Sequence, residues 1–168
     1  MVDLQESTKT AWSQVENVYQ RRLDLIPNLV NTVKWFASQE KEVLLWVTNA
    51  RASATKVNIN LNDAKEFSEF QKSQTELSSA LSRLLMITEN YPNLKSDQNF
   101  LNLQTQLEGT ENRITVERMK FNEAVKVYNI YIRKFPSNII ALFLGFSRIN
   151  SFEADKWAEK APTVDFTK

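Results

Sequence analysis

The sequence predicts an all-α domain: four long helices in a bundle with a left-handed twist, followed by a short C-terminal helical or extended segment. Two observations predict this fold. Apolar residues recur at spacings of three and four along several segments, which is typical of one buried helix face. Along the last and longest segment they recur every seven residues, a period that imposes left-handed supercoiling. With 168 residues, 42% of them apolar, the chain is long enough for one domain with its own core.

The first predicted helix runs from Leu4 to about Leu25. Its apolar face carries Leu4, Ala11, Val15, Val18 and Leu25. Pro27 has no amide hydrogen and pushes the residue before it out of the α conformation, while Asp24 is a good N-cap for a new helix. We therefore expect a break at Pro27, and the alternative is one long helix that is kinked there.

The second predicted helix follows this break and ends near residues 51–53, before a loop at residues 54–62. A third helix begins after Asn62 or Asp63, since either side chain can cap it. Its buried face is an unbroken alternation of three and four, formed by Phe67, Phe70, Gln74, Leu77, Leu81, Leu84, Thr88 and Tyr91. Pro92 ends this helix.

The fourth predicted helix runs from about Ser96 to Phe135. One seven-residue row consists of Phe100, Leu107, Ile114, Phe121, Tyr128 and Phe135, and a second row of Leu103, Thr110, Glu117, Ala124 and Tyr131. At about 1.5 Å per residue this helix is about 60 Å long, against about 35–45 Å for the others. We expect its end to project beyond the bundle or to be covered by residues 136–146, in which Gly145 is a helix stop.

The residue types that the sequence lacks exclude most familiar enzyme chemistry. The chain has no His and no Cys, so it lacks the residues of the usual catalytic triads and of ordinary zinc sites. Its two glycines, Gly109 and Gly145, are too few for a glycine-rich phosphate loop. The net charge is +1 without a cluster of cations, which argues against nucleic-acid binding. We expect no enzymatic activity, no cofactor, no metal and no nucleic-acid partner.

Two residues of the fourth helix break its pattern. Glu117 lies on an inward row, and because an unpaired buried carboxylate is costly, we expect it to pair with Arg22. Gly109 lies mid-helix, where we expect a close neighbour, either Trp12 or Trp46. A buried polar network, or a partner surface, is predicted from Arg21, Arg22, Asp24, Asn28, Glu111, Asn112, Arg113 and Glu117. A ligand or divalent-ion site in the same place is the alternative.

Several stretches of the chain resemble one protein family. They are AWSQV at residues 11–15, QRRLDLIPNLV at 20–30, LEGTENRI at 107–114, FPSN at 135–138 and APTVDF at 161–166. In this order they resemble the signature of LemA family proteins over nearly the whole chain. The resemblance implies a single domain over residues 1–168, a long up-and-down antiparallel four-helix bundle, and a bacterial protein whose biochemical role is not established.

Members of this family typically carry an N-terminal hydrophobic segment that anchors the bundle to the cytoplasmic membrane. The resemblance therefore implies a single-pass protein of the bacterial inner membrane, whose anchor is missing from this chain, and the chain alone is expected to be soluble. We expect it to act as a scaffold of the cell envelope that contacts protein partners in or at the membrane.

The predicted contact surface is the apolar segment after the fourth helix. It consists of Ile139, Ile140, Leu142, Phe143 and Phe146. Exposed apolar patches usually mark interfaces, and the alternative is that the segment is a lid on the core. A further alternative is binding to a lipid surface through the same segment and Trp157. The small number of nearby cations, Lys134 and Arg148, counts against lipid binding.

Overall fold

The computed structural model describes residues 1–55 and 59–153 of the chain. All regular secondary structure in these residues is helical. The helices are α1 (Val2–Phe36), α2 (Lys41–Ala54), α3 (Ala64–Thr88), α4 (Pro92–Lys95), α5 (Gln98–Arg133) and α6 (Ser137–Leu144). The all-α class is thereby confirmed. Trp157 and the family-like stretch at residues 161–166 lie outside the described residues.

Helix α1 continues through Pro27. The break expected there is wrong, and the chain turns instead at residues 37–40, before α2. A proline inside a helix costs about 3 kcal/mol, because it removes one hydrogen bond and its ring crowds the preceding turn. Ile26 and Leu29, on either side of this proline, are both buried in the core. Their burial offsets the local cost, so α1 absorbs the first part of the predicted second helix.

The ends of three helices follow the local chemistry of the sequence. The Asp63 carboxylate accepts hydrogen bonds from two backbone amides in the first turn of α3, at 2.8 and 3.1 Å. Asp97 caps α5 in the same way, at 2.9 Å. Gly145 ends α6 with a φ of 72°, a left-handed conformation that glycine adopts without strain. The predicted cap at Asp63 and the predicted stop at Gly145 are therefore confirmed.

Helices α1 and α5 are an antiparallel pair of nearly equal length, 35 and 36 residues. Trp12 packs against Phe121, and Arg22 meets Glu111, so ten residues forward on α1 (12 to 22) correspond to ten backward on α5 (121 to 111). Each helix is about 50 Å long. The expectation that α5 outruns the other helices is wrong, because the uninterrupted α1 matches it.

The buried apolar residues form two clusters. The aliphatic cluster is built mainly by Leu23, Ile26, Leu29 and Val33 of α1, Val43, Leu44, Val47 and Ala50 of α2, Leu77, Leu81 and Leu84 of α3, and Phe100 and Leu107 of α5. The aromatic cluster is built mainly by Trp12, Tyr19, Phe67, Phe70, Phe121, Tyr128 and Phe152. Its ring centroids lie 5.1–6.5 Å apart, which is the range of favourable aromatic pairs.

Behind α6 the chain returns along α5, where two asparagine side chains hold it. Asn129 donates to the backbone oxygen of Ile149 at 2.9 Å and accepts from its N–H at 3.1 Å. Asn122 does the same with Phe152, at 3.0 and 2.9 Å. The Phe152 ring lies in the aromatic cluster. This double clamp ties the segment after α6 to the bundle, so α6 is held at the end of α5 from both sides.

Candidate functional site

Arg22 of α1 is buried, with 1% of its surface exposed, and its guanidinium is held by side chains of two other helices. Nη1 donates to Ser78 Oγ at 2.9 Å and to Glu111 Oε1 at 3.0 Å. Nη2 donates to the side-chain oxygen of Gln74, whose amide nitrogen donates in turn to the backbone oxygen of Ala54 at 3.2 Å. We call Arg22, Gln74, Ser78 and Glu111 the polar layer.

The polar layer lies at the boundary between the two core clusters. On α1, Arg22 stands between Tyr19 of the aromatic cluster and Leu23 of the aliphatic cluster. The other two helices change cluster at the same level, on either side of Gln74 in α3 and of Glu111 in α5. A buried polar group that finds its partners at only one level favours a single register of the helices. The arrangement is therefore that of a structural layer.

Glu117 does not pair with Arg22, so that expectation is wrong. Its carboxylate forms an ion pair with Lys120, at 2.8 Å on the same helix, and its side chain is 18% exposed. The antiparallel register explains the difference, because six residues separate Glu117 from the level at which Arg22 meets Glu111. Gly109 also differs from the expectation: a Cβ added there would meet no atom within 4 Å, because the residue lies on the exposed face of α5.

The structure does not bring the eight predicted site residues together. Only Arg22 and Glu111 meet, and five others lie on exposed helix surfaces, namely Arg21, Asp24, Asn28, Asn112 and Arg113. Gln74 and Ser78, which complete the polar layer, were not among the predicted site residues. Gln74 carried a signal in the sequence, since it stands between Phe70 and Leu77 on the buried seam of the third helix.

A cleft of about 380 Å³ opens beside the polar layer, between α3 and α5. Two carboxylates line it, those of Glu108 and Glu111, and the second is already paired with Arg22. Within the described residues, no group of three or more His, Cys, Asp or Glu could hold a metal ion. The hydrogen bonds of the layer join α1, α3 and α5 to one another.

Helix α6 has the opposite character, because its apolar side chains point to solvent. Leu142 and Phe143 are 82% and 83% exposed. We call the exposed side chains of this helix the α6 face: Ile139, Ile140, Leu142, Phe143 and Leu144. Ala141 is buried and Phe146 packs against the aromatic cluster. The lid alternative therefore describes Ala141 and Phe146, whereas the other four predicted contact residues belong to the α6 face.

The α6 face lies at the end of the molecule where α1 begins. Met1 and Leu4 pack against the same cluster as Ile132 and Ala141, because α1 and α5 are antiparallel. Phe135, which joins α5 to α6, is itself 81% exposed. Exposed apolar side chains thus concentrate at one end of the helix pair.

Tyr128 fixes the position of the chain segment that follows α6. Its hydroxyl donates to the backbone oxygen of Ser147 at 3.0 Å, two residues beyond Gly145. Burial raises the pKa of the Tyr128 phenol above its usual value, because the charged form would have to lose its water. The neutral, hydrogen-bonding form is the one that holds this segment.

No helix in the described ranges, 1–55 and 59–153, combines the length and the apolar composition needed to cross a membrane. A comparison with models of protein families matches the LemA family over residues 11–166. This match covers the polar layer, the α6 face and both asparagine clamps.

Curated relatives agree with that match. The magnetosome protein MamQ 2 of Paramagnetospirillum magneticum is 26% identical over 182 residues, covering 97% of this chain and 66% of the relative. The magnetosome protein MamQ of Magnetospirillum gryphiswaldense is 25% identical over the same extent. The protein LemA of Metamycoplasma hominis is 20% identical over 152 residues, covering 90% of this chain and 67% of the relative. The chain thus spans about two thirds of the length of the curated relatives it matches.

Proposed function

Because this chain belongs to the LemA family, we propose that it is a non-enzymatic helical scaffold domain of the bacterial cell envelope. In the whole protein an N-terminal single-pass anchor holds it at the cytoplasmic membrane. There it acts through contacts of its surface with the membrane and with protein partners, and it transforms no substrate.

The scaffold is a long up-and-down bundle of α1, α2, α3 and α5 with a left-handed twist. Three observations support this arrangement. Helices α1 and α5 are antiparallel along their length. Helix α2 packs against both α1 and α3. All four helices contribute to the aliphatic cluster, and the seven-residue rows of α5 supply its inward residues.

The proposal that this domain catalyses no reaction is supported by its composition and by the polar layer. The sequence has no His or Cys to act as general base, nucleophile or metal ligand. The buried guanidinium of Arg22 is committed to Gln74, Ser78 and Glu111. Both terminal nitrogens of this guanidinium, Nη1 and Nη2, are thus engaged within the fold, whereas Nε has no hydrogen-bond partner among the described residues.

The α6 face is the observation that carries the proposal. A fold that buries its other apolar seams leaves Leu142 and Phe143 almost fully exposed, and exposed apolar patches of this kind mark contact surfaces. The face lies at the end of the molecule where α1 begins, since Met1 and Leu4 pack against the same cluster as Ala141. An anchor that precedes Val2 would therefore bring the α6 end of the bundle, and not the opposite end at Trp35, towards the bilayer.

Fractionation of cells that make the full-length protein tests this function. The intact mass of the purified protein defines its true N-terminus, and a carbonate wash separates anchored from loosely bound protein. We expect a mass larger than that of this chain by an apolar N-terminal segment, and retention in the washed membrane. Recovery of the endogenous protein in the cytosolic fraction would contradict the proposal. Expression of residues 1–168 in the same cells is the matched control for the contribution of the anchor.

A further inference from the structure

We infer that the α6 face docks on the surface of a lipid bilayer with anionic headgroups. This inference rests on the proposed function and names the partner of its contact surface. The helix lies in the plane of the interface, with its apolar side chains among the acyl chains and the surrounding cations at the headgroups.

The composition of α6 matches an interfacial environment. Only Ser137 and Asn138, in its first turn, are polar, and Ala141 is its one buried residue. A helix that is apolar on most of its circumference is normally buried in a core or in a membrane. This helix is not buried in the core, since Leu142 and Phe143 are more than four-fifths exposed.

Along the chain, the segment that contains α6 is basic. Residues 124–152 contain four basic side chains, Lys126, Arg133, Lys134 and Arg148, and no acidic side chain. Lys126 forms an ion pair with Glu123 at 3.6 Å. The other three cations are exposed and form no ion pair with a described residue. In sequence, Arg133 and Lys134 precede the helix and Arg148 follows it. The expectation that too few cations lie nearby for lipid binding counted only Lys134 and Arg148, and it left out Arg133.

The rigidity of the attachment makes the surface ready to bind. Gly145 closes α6, Tyr128 holds Ser147, and Asn129 clamps Ile149. A preformed apolar surface binds without the entropic cost of ordering a flexible segment. These contacts hold the end of α6 in place with the α6 face pointing to solvent.

The size of the surface argues against a protein or a second copy as its occupant. A helix of eight residues is about 12 Å long, and a stable protein interface buries about 800 Å² on each partner. The α6 face consists of five side chains on this short helix, which is few for a protein interface of that size. A bilayer has no such requirement, because insertion of an apolar face by about 5–10 Å is itself a complete contact.

Binding of the 168-residue chain to vesicles tests the inference. Vesicles of phosphatidylcholine alone are compared with vesicles that contain a third of phosphatidylglycerol, and bound protein is measured by flotation. We expect binding to the anionic vesicles that weakens severalfold when salt rises from about 0.1 M to about 1 M, because the Debye length falls from about 10 to about 3 Å. Equal binding to both vesicle types, or none to either, would overturn the inference.

Two variants locate the contact. Leu142→Ser combined with Phe143→Ser should reduce binding at least tenfold, whereas Trp35→Ser, which removes an equally exposed apolar side chain at the other end of α1, should leave it unchanged. Arg133→Gln should reduce binding to the anionic vesicles about fivefold. Each variant should have the melting temperature of the wild type, as expected for substitutions at exposed positions, and this shows that it is folded.

The outcomes separate this inference from the proposed function. If the double variant binds vesicles as the wild type does, α6 is not the contact and the inference is wrong. If the wild-type chain sediments as a dimer and the double variant sediments as a monomer, a second copy occupies the α6 face and the inference is again wrong. In both cases membrane retention of the full-length protein would leave the proposed function standing.

Discussion

Two regions of this molecule reverse the usual distribution of polar and apolar side chains, and they do so in opposite ways. The polar layer buries the charge of Arg22 in the middle of the bundle, and the α6 face exposes five apolar side chains at one end. The charge in the layer is matched by Gln74, Ser78 and Glu111. On α6 only Ala141 is buried, and the side chains of the α6 face point to solvent.

The polar layer therefore has a structural role, whereas the α6 face has a role in binding. A buried charge is costly unless its own fold supplies the partners, and here three partners from two helices do so. An exposed apolar helix costs little to a folded chain in water, but it leaves free energy to be gained on contact. Substitutions in the layer should therefore change stability, whereas substitutions on α6 should change binding.

The largest expected effect is that of Arg22→Ala. It leaves a cavity where the buried side chain packed and removes the hydrogen-bond partner of the buried Gln74, and we expect the free energy of unfolding to fall by about 3–5 kcal/mol. Urea unfolding followed by circular dichroism measures it. Arg21→Ala is the matched control, because its side chain is exposed and its loss should cost no more than about 0.5 kcal/mol. Equal effects of the two substitutions would show that the layer does not stabilise the bundle.

A smaller effect distinguishes the two carboxylates of α5. Glu111→Ala should lower the free energy of unfolding by about 1–3 kcal/mol, since it leaves the buried Arg22 without its counter-charge. Glu117→Ala should cost less, about 0.5 kcal/mol, because its partner Lys120 is 62% exposed and the two residues pair within one helix. The same urea titrations provide both values. A larger cost at Glu117 than at Glu111 would contradict the register of α1 against α5.

The smallest expected effect concerns pH at the α6 end. Burial raises the pKa of Tyr128 in the folded chain, so its contribution to stability is complete below about pH 10 and is lost as pH rises through the folded pKa. Urea unfolding between neutral and alkaline pH should show a decrease above pH 10 that Tyr128→Phe reduces. Tyr131→Phe, at an exposed position of the same helix, is the control. An identical alkaline decrease in Tyr128→Phe would contradict this role.

The sequence was sufficient where local chemistry determines the structure. The seven-residue rows predicted α5, and Asp63 and Gly145 predicted helix ends that the structure confirms. At Pro27 the tendency of proline to break a helix is overcome by packing, because Ile26 and Leu29 are buried on both sides of the proline. The conformational preference of a single residue contains no information about burial against a helix that is distant in sequence.

The candidate sites show the same limit more clearly. Arg22 was recognised as a buried cation, but its partner is Glu111 and not Glu117, because the register between α1 and α5 is set by the packing of pairs such as Trp12 and Phe121. The asparagine clamps were missed, since an asparagine that binds a returning backbone looks like any polar surface residue. Four of the five residues of the α6 face were predicted as part of a contact surface from their apolar character, and their exposure required the structure.

The position of Leu142 on a bilayer tests the central claim most directly. The chain has no cysteine, so Leu142→Cys and Trp35→Cys each create one site for a nitroxide spin label. With anionic vesicles present, we expect the label at position 142 to be accessible to oxygen and protected from a water-soluble relaxation agent. The label at position 35, about 50 Å away along α1, should show the opposite accessibility. Equal exposure of both labels to the water-soluble agent would contradict the assignment of α6 to the membrane surface.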